Sequence, residues 1–154
     1  MTVPAIGDAV PDFELPATGE QTIKLSDLRG QAVVLFFYPK ASTPGCTKEG
    51  QQFRDLHAQF TVAGAIVLGI SRDSVKAQEN FKAKQAFPYE LLSDKDETVC
   101  NLFDVIKLKM MYGKQVRGIE RSTFLIGADG VLRQEWRKVK VDGHAQTVLD
   151  ALTA

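Results

Sequence analysis

The sequence has few cysteines and histidines, and each scarcity excludes a class of protein. Its two cysteines, Cys46 and Cys100, are too few for a disulfide scaffold, and they form no C-x-x-C pair of the kind that disulfide exchangers use. Its two histidines, His57 and His144, have no companion at metal-ligand spacing, so we expect no metal. The chain also lacks a G-x-G-x-x-G or P-loop motif, and we expect no cofactor.

Length, charge and hydrophobicity further limit the number of domains, the kinds of partner and the cellular compartment that we expect. The 154 residues, 44% of them hydrophobic, suit one domain that spans residues 1–154. The 19 basic and 19 acidic residues give a net charge of zero, which indicates neither a nucleic-acid nor a membrane-surface partner. No apolar run approaches the roughly 20 residues of a membrane span, and the N-terminus lacks a signal-peptide pattern. We therefore expect a protein of the reducing cytoplasm.

Two apolar runs, at residues 32–35 and 65–71, predict buried strands. The helical pattern between them makes a βαβ unit, so these strands should be parallel. Residues 105–119 show no clean period and are predicted to be a loop. Other signals predict a hairpin over residues 12–25, a helix over 75–86, a short strand at 91–93, a helix after Ser93, a hairpin at Asp129-Gly130 and a terminal helix over 143–152. This order predicts an α/β fold with a thioredoxin-like mixed central sheet, helices on both faces and an N-terminal β-hairpin.

The most informative stretch runs from residue 36 to residue 49. Pro39 ends the preceding strand because it cannot donate to a sheet ladder, Pro44 and Gly45 form a turn, and the pattern then becomes helical. Cys46 is therefore predicted in the first turn of a helix that follows a central strand. Free backbone N–H groups at that position stabilise an anion and favour a thiolate. The alternative is a buried structural cysteine, since cysteine is among the most buried residue types.

The same stretch resembles the active-site signature of a known family. Pro39, Thr43 and Cys46 stand as P-x-x-x-T-x-x-C, the signature of the peroxiredoxins, and Glu49 extends it to C-T-x-E. The surrounding F-F-Y-P-K and T-P-G-C-T are similar to the bacterioferritin comigratory protein (PrxQ) branch, as is the M-Y-G-K sequence of residues 111–114. The resemblance continues almost to the C-terminus and implies the same thioredoxin-like fold.

The resemblance also implies roles for the central site residues. Cys46 would attack one oxygen of a peroxide O–O bond and become a sulfenic acid. Arg121, which opens the R-S-T-F-L-I strand, would hold thiolate and peroxide with its guanidinium fork. Thr43 would bind the incoming peroxide, and Pro39 would shield the thiolate from water. A lower cysteine pKa increases the fraction of thiolate but decreases its nucleophilicity, so it speeds peroxide reduction only a few-fold. Preorganised hydrogen-bond donors must therefore provide most of the acceleration.

Two further residues would support this site. Glu49 would orient local hydrogen bonds, and the backbone N–H groups of Cys46 and Gly45 would complete the site. Simpler roles remain open for the polar residues. Arg121 could be a surface arginine, Thr43 a turn cap and Glu49 an ordinary acid of a first helical turn.

Cys100 poses the question of how the sulfenic acid is reduced. Many relatives carry a second cysteine five residues after the first, where this chain has Gln51, or in the next helix, where it has Lys82. Cys100 lies in an amphipathic pattern and is predicted to be a buried, inert thiol. We therefore expect a one-Cys mechanism in which an external thiol reduces Cys46. A Cys46–Cys100 disulfide, which needs Cα atoms within about 7 Å, is the less favoured alternative.

These inferences predict a thiol-dependent peroxidase that reduces hydrogen peroxide and alkyl hydroperoxides to water or alcohols. It would act in antioxidant defence and redox homeostasis, as a monomer, with thioredoxin, glutaredoxin or a small thiol as reductant. A non-enzymatic redox sensor with a persistent sulfenic acid is one alternative, which the missing resolving cysteine motivates. A disulfide reductase is another, which the absence of a second nearby cysteine disfavours.

Overall fold

The computed structural model describes residues 3–154, apart from the side chain of Met111. The strands are β1 (Glu14–Ala17), β2 (Gln21–Lys24), β3 (Ala32–Phe37), β4 (Ala65–Ser71), β5 (Leu91–Ser93), β6 (Ile106–Met111), β7 (Lys114–Ile119), β8 (Ser122–Ile126) and β9 (Leu132–Trp136). The helices are α1 (Pro44–Asp55), α2 (His57–Val62), α3 (Val75–Gln85), α4 (Thr98–Leu102) and α5 (His144–Thr153), with a 3-10 helix at Leu25–Leu28. Within residues 3–154, no helix is both long and apolar enough to cross a bilayer.

Seven strands form one mixed sheet in the order β2-β1-β5-β4-β3-β8-β9. β4 pairs in parallel with both β3 and β5, whereas β8 runs antiparallel to β3 and to β9. The parallel βαβ unit and the N-terminal hairpin predicted from the sequence are confirmed, and β9 lies at an edge as its polar sequence suggests.

The central strand β3 is buried on both sides, which explains its uninterrupted apolar sequence. Successive side chains of a strand point to opposite faces of the sheet. On one face, Val33, Leu35 and Phe37 join a cluster, here called the first core, that includes residues of α4 and the 3-10 helix. On the other face, Val34, Phe36 and Tyr38 join a second core with residues of α1, α2, α3 and α5. Helices therefore cover both faces, as predicted.

The loop predicted for residues 105–119 is wrong, because β6 and β7 form an antiparallel hairpin there as a separate two-stranded sheet. Its turn places Tyr112 at φ 52° and Gly113 at φ 76°, the positive angles that a two-residue hairpin turn requires. Leu108 and Met110 remain largely exposed. Only the base of the hairpin, where Ile106 and Ile119 meet the first core, buries apolar side chains. The rest of the hairpin therefore lacks the apolar pattern on which strand prediction depends.

Smaller differences occur at element boundaries. The helical pattern predicted between the two apolar runs forms two helices, because Leu56 separates α1 from α2. The helix predicted after Ser93 begins only at Thr98. The helix predicted over residues 75–86 is α3, which Ser74 caps at its start and which the exposed Ala86 ends in the left-handed conformation.

Candidate active site

Cys46 lies where β3 passes into α1. Thr43 is the N-cap residue, and Pro44 occupies the first helical position, where its missing N–H costs nothing. Cys46 follows in the first turn with a side chain only 1% exposed. The unpaired N–H groups of this turn favour negative charge on a nearby sulfur atom. The predicted strand–turn–helix setting of Cys46 is therefore confirmed.

Arg121 reaches this turn from the neighbouring strand. Phe37 pairs with Ser122, and this register brings Arg121 beside the end of β3. Its Nη2 atom lies 3.5 Å from the Cys46 Sγ atom, and its Nη1 atom donates a hydrogen bond of 2.7 Å to Glu49 Oε1. The Arg121 side chain is mostly buried, at 16% exposed. The fork of one guanidinium thus joins the thiol to a carboxyl group.

Glu49 is buried one turn after Cys46 on α1, and its side chain is 1% exposed. Burial raises the pKa of Glu49 to about 7, although the charge of Arg121 acts in the opposite direction. Its second oxygen, Oε2, has no hydrogen-bond partner within the described residues. Glu49 therefore exchanges a proton near neutral pH while Arg121 faces two acidic groups.

The remaining motif residues lie around this pair. The Thr43 hydroxyl donates to the Lys40 carbonyl at 2.7 Å. A Cβ atom on Gly45 would lie 3.2 Å from Arg121 Nη2, so glycine leaves room for the guanidinium. Pro39 and Arg121 line one side of an open groove of about 800 Å³. Its other lining residues are Lys107, Leu108, Lys109, Glu120, Lys138 and Val139.

Cys100 lies away from this site. Cys46 belongs to the second core and Cys100 to the first, so the central sheet separates the two thiols. Cys100 is fully buried in α4, and its backbone N–H donates to Asp94 Oδ2 at 2.6 Å. Burial, followed by the effect of the Asp94 carboxylate, raises the pKa of the Cys100 thiol far above its ordinary value.

Two polar residues near the site have no role in the function predicted from the sequence. His144 Nε2 lies 2.8 Å from Thr123 Oγ1 in a buried pair. Burial, assisted by the charge of Arg121, lowers the pKa of His144 to about 4. Asp73 accepts a hydrogen bond of 2.8 Å from the Ala41 N–H, beside the motif. Neither contact has a sequence signal, because each joins residues that are far apart in the chain.

The chain is similar to known proteins along most of its length. Residues 6–135 match the model of the AhpC/TSA family. The chain is 56% identical over 143 residues to peroxiredoxin Bcp of Xanthomonas campestris (93% of this chain, 89% of the relative) and 48% identical over 147 residues to peroxiredoxin Bcp of Bacillus subtilis (96% and 94%).

Solved structures of related proteins are also similar to this chain. A structure of the X. campestris bacterioferritin comigratory protein, studied for its alkyl peroxide reduction activity, superposes with a TM-score of 0.90 at 53% identity (98% of this chain, 96% of that chain). A mutant of Xylella fastidiosa PrxQ gives a TM-score of 0.93 at 47% identity (99% and 98%).

A thioredoxin-like sheet with a cysteine at a helix N-terminus and an arginine beside it defines a thiol-based redox protein. The chain belongs to the AhpC/TSA family. It is a thiol-dependent peroxidase, and the resemblance to the PrxQ branch seen in its sequence is confirmed. Its substrate is a hydroperoxide and its electron donor is a thiol.

Proposed function

We propose that Cys46 reduces hydroperoxides through a one-cysteine cycle. The thiolate attacks one peroxide oxygen, the O–O bond breaks, and the departing oxygen takes a proton to leave as water or an alcohol. An external thiol then attacks the sulfenic acid, releasing water and forming a mixed disulfide. A second external thiol frees Cys46 and leaves as a disulfide. The observation that carries this proposal is the 3.5 Å contact between Arg121 Nη2 and Cys46 Sγ at a helix N-terminus.

The other site residues have complementary roles in this proposal. Arg121 stabilises both the attacking sulfur and the charge that develops on the leaving oxygen. The Thr43 hydroxyl turns from the Lys40 carbonyl to the bound peroxide, while Pro39 keeps water from the thiolate. Glu49 fixes the guanidinium from its far side, a role that their 2.7 Å hydrogen bond supports.

We extend the proposal to alkyl hydroperoxides as well as hydrogen peroxide. The groove beside Arg121 has Leu108 and Val139 in its wall, which offer apolar contact to an alkyl chain. The alkyl peroxide reduction activity of the X. campestris relative supports the same substrate class. Leu108→Ser should therefore lower kcat/KM for cumene hydroperoxide more than for hydrogen peroxide. An equal loss for both peroxides would argue against a substrate role of the groove.

A reductant from outside the chain completes the cycle, in a monomeric enzyme of the reducing cytoplasm. The separation of Cys46 and Cys100 by the central sheet supports this view, because a disulfide requires Cα atoms within about 7 Å. Thioredoxin, glutaredoxin and small thiols are the candidate donors, and turnover with each in turn will identify the one used.

Intact mass after one equivalent of hydrogen peroxide, without added thiol, tests the cycle. We expect a gain of about one oxygen atom in the wild type and in Cys100→Ala, and none in Cys46→Ser. Loss of about two hydrogens, with peptide mapping to a Cys46–Cys100 bond, would overturn the one-cysteine cycle. No change in mass would overturn the role of Cys46 altogether.

Steady-state assays with the same variants separate an enzyme from a redox sensor. We expect Cys46→Ser to abolish turnover and Cys100→Ala to retain most of it, with only the loss of stability that a small buried cavity causes. A wild-type protein that reacts once and then stalls with every thiol donor would instead be a sensor.

A further inference from the structure

The segment between β3 and α1 carries two motif residues but lies outside the sheet ladders. Pro39 begins this segment, here called the active-site loop (residues 39–43), and Thr43 ends it as the N-cap of α1. Between them, Ser42 adopts φ 65°, a left-handed conformation that costs energy for a residue other than glycine. Such a backbone keeps one position only if contacts from outside the loop hold it.

Asp73, which follows β4, supplies such a contact. Its Oδ2 atom accepts a hydrogen bond of 2.8 Å from the Ala41 N–H and one of 2.6 Å from the Ser71 hydroxyl. The Asp73 N–H donates back to Ser71 Oγ at 3.2 Å, and the Ser93 hydroxyl donates to the Asp73 carbonyl at 2.6 Å. Ser71 of β4 thus holds the carboxyl group of Asp73, and Ser93 of β5 holds its main chain.

The same network reaches the residue that precedes the loop. Gln78 Nε2 donates to Ser71 Oγ at 2.9 Å, and the Tyr38 hydroxyl donates to Gln78 Oε1 at 2.5 Å. Tyr38, Ser71 and Gln78 are fully buried. One hydrogen-bonded chain therefore attaches to the polypeptide on either side of Pro39, at Tyr38 and at Ala41.

We propose that Asp73 is a positioning residue for peroxide reduction, which holds the active-site loop through the Ala41 N–H and so sets where Pro39 and Thr43 meet the peroxide. The proposal rests on the proposed function of Cys46 and Thr43. Displacement of a reacting group by about 1 Å can cost about 100-fold in rate. The reaction of Cys46 with a simple alkylating agent needs only an accessible thiolate, and it does not need the Thr43 hydroxyl in place.

Asp73→Ala and Asp73→Asn test the proposal, with Ser93→Ala as a matched control. Stopped-flow fluorescence gives the rate constant for oxidation by hydrogen peroxide, and iodoacetamide labelling gives the alkylation rate of Cys46. In Asp73→Ala we expect oxidation to slow by about 30- to 100-fold, while alkylation slows by no more than about threefold or becomes faster. Asp73→Asn keeps an acceptor for the Ala41 N–H and should recover most of the oxidation rate. Ser93→Ala loses a bond to Asp73 but keeps the loop contact, so its oxidation rate should match the wild type.

Three results would overturn the proposal: oxidation in Asp73→Ala close to the wild-type rate, a parallel loss of oxidation and alkylation, or an equal defect in Ser93→Ala. The last two would show a general loss of structure. If wild-type Cys46 were alkylated but not oxidised by peroxide, the proposed function itself would fail, and this outcome is distinct from a defect confined to Asp73 variants.

Discussion

At the scale of single residues, the site depends on the Arg121 guanidinium, which contacts both Cys46 and Glu49. The two Nη atoms of Arg121 are divided between Cys46 Sγ and Glu49 Oε1. A planar guanidinium can donate hydrogen bonds to both groups at once in fixed directions, whereas an ammonium group offers one compact charge. The geometry of the fork should therefore matter as much as its charge.

Arg121→Lys tests this point. We expect the rate constant for oxidation by hydrogen peroxide to fall by about 100-fold, because one preorganised donor is lost while the positive charge remains. Stopped-flow measurements under single-turnover conditions will give the rate, and far-UV circular dichroism will check the fold. A variant with a near-normal rate would show that charge alone suffices.

The sequence indicates the motif residues of the site but not Asp73 and His144, which lie beside them. Cys46 belongs to the P-x-x-x-T-x-x-C motif and Arg121 to a stretch that resembles the same family, and the structure brings the two side chains into contact. Asp73 and His144 have no such motif. Their partners, Ala41 and Thr123, become neighbours only when the sheet forms, so no local pattern could indicate either contact.

At the scale of elements, the β6–β7 hairpin is attached to the rest of the molecule by a charged cluster. Arg117 of β7 donates two hydrogen bonds, each of 2.5 Å, to the Glu97 carboxylate, and Arg72 donates a third at 2.9 Å. Arg117 and then Arg72 lower the pKa of Glu97 to about 2. Glu97 therefore stays ionised and keeps the hairpin in place across the ordinary pH range.

Glu97→Gln should loosen the hairpin, because an amide cannot accept the paired hydrogen bonds of Arg117. We expect trypsin to cleave within residues 107–117 about five times faster, since loss of this charged contact makes local opening of the hairpin more frequent. Mass spectrometry of the fragments will locate the cuts. Asp96→Asn, at an exposed neighbouring acid, is the control and should cleave at the wild-type rate.

The hairpin is also the element that sequence reasoning missed. The alternation of Ile106, Leu108 and Met110 with lysines is a strand signal, but β7 repeats it poorly. The turn has Tyr112 before Gly113, whereas Asn-Gly or Asp-Gly at this place would have indicated a hairpin. By contrast, β3 and β4 are buried on both faces, and their continuous apolar runs make them the easiest strands to predict.

At the scale of the whole molecule, two buried groups near Arg121 titrate with opposite effects on stability. The folded-state pKa of Glu49, about 7, is above its ordinary value of 4.5. Its contribution to stability is full below pH 4.5 and is lost as the pH rises through 7. The pKa of His144 is lowered from 6.5 to about 4, so the folded protein loses stability as the pH falls below 6.5. Between these limits, the two effects partly cancel.

Glu49→Gln removes the effect of Glu49 titration on stability and leaves that of His144. Relative to the wild type, we expect the variant to lose about 2 kcal/mol of unfolding free energy between pH 7.5 and pH 5.5. The stabilising protonation of Glu49 is absent from the variant, and nothing then offsets the destabilising protonation of His144. His144→Gln should gain about 1 kcal/mol on the same comparison. Urea unfolding followed by Trp136 fluorescence at both pH values measures these differences. A difference between Glu49→Gln and the wild type that is the same at both pH values would mean that Glu49 is ionised throughout, with Arg121 as its partner.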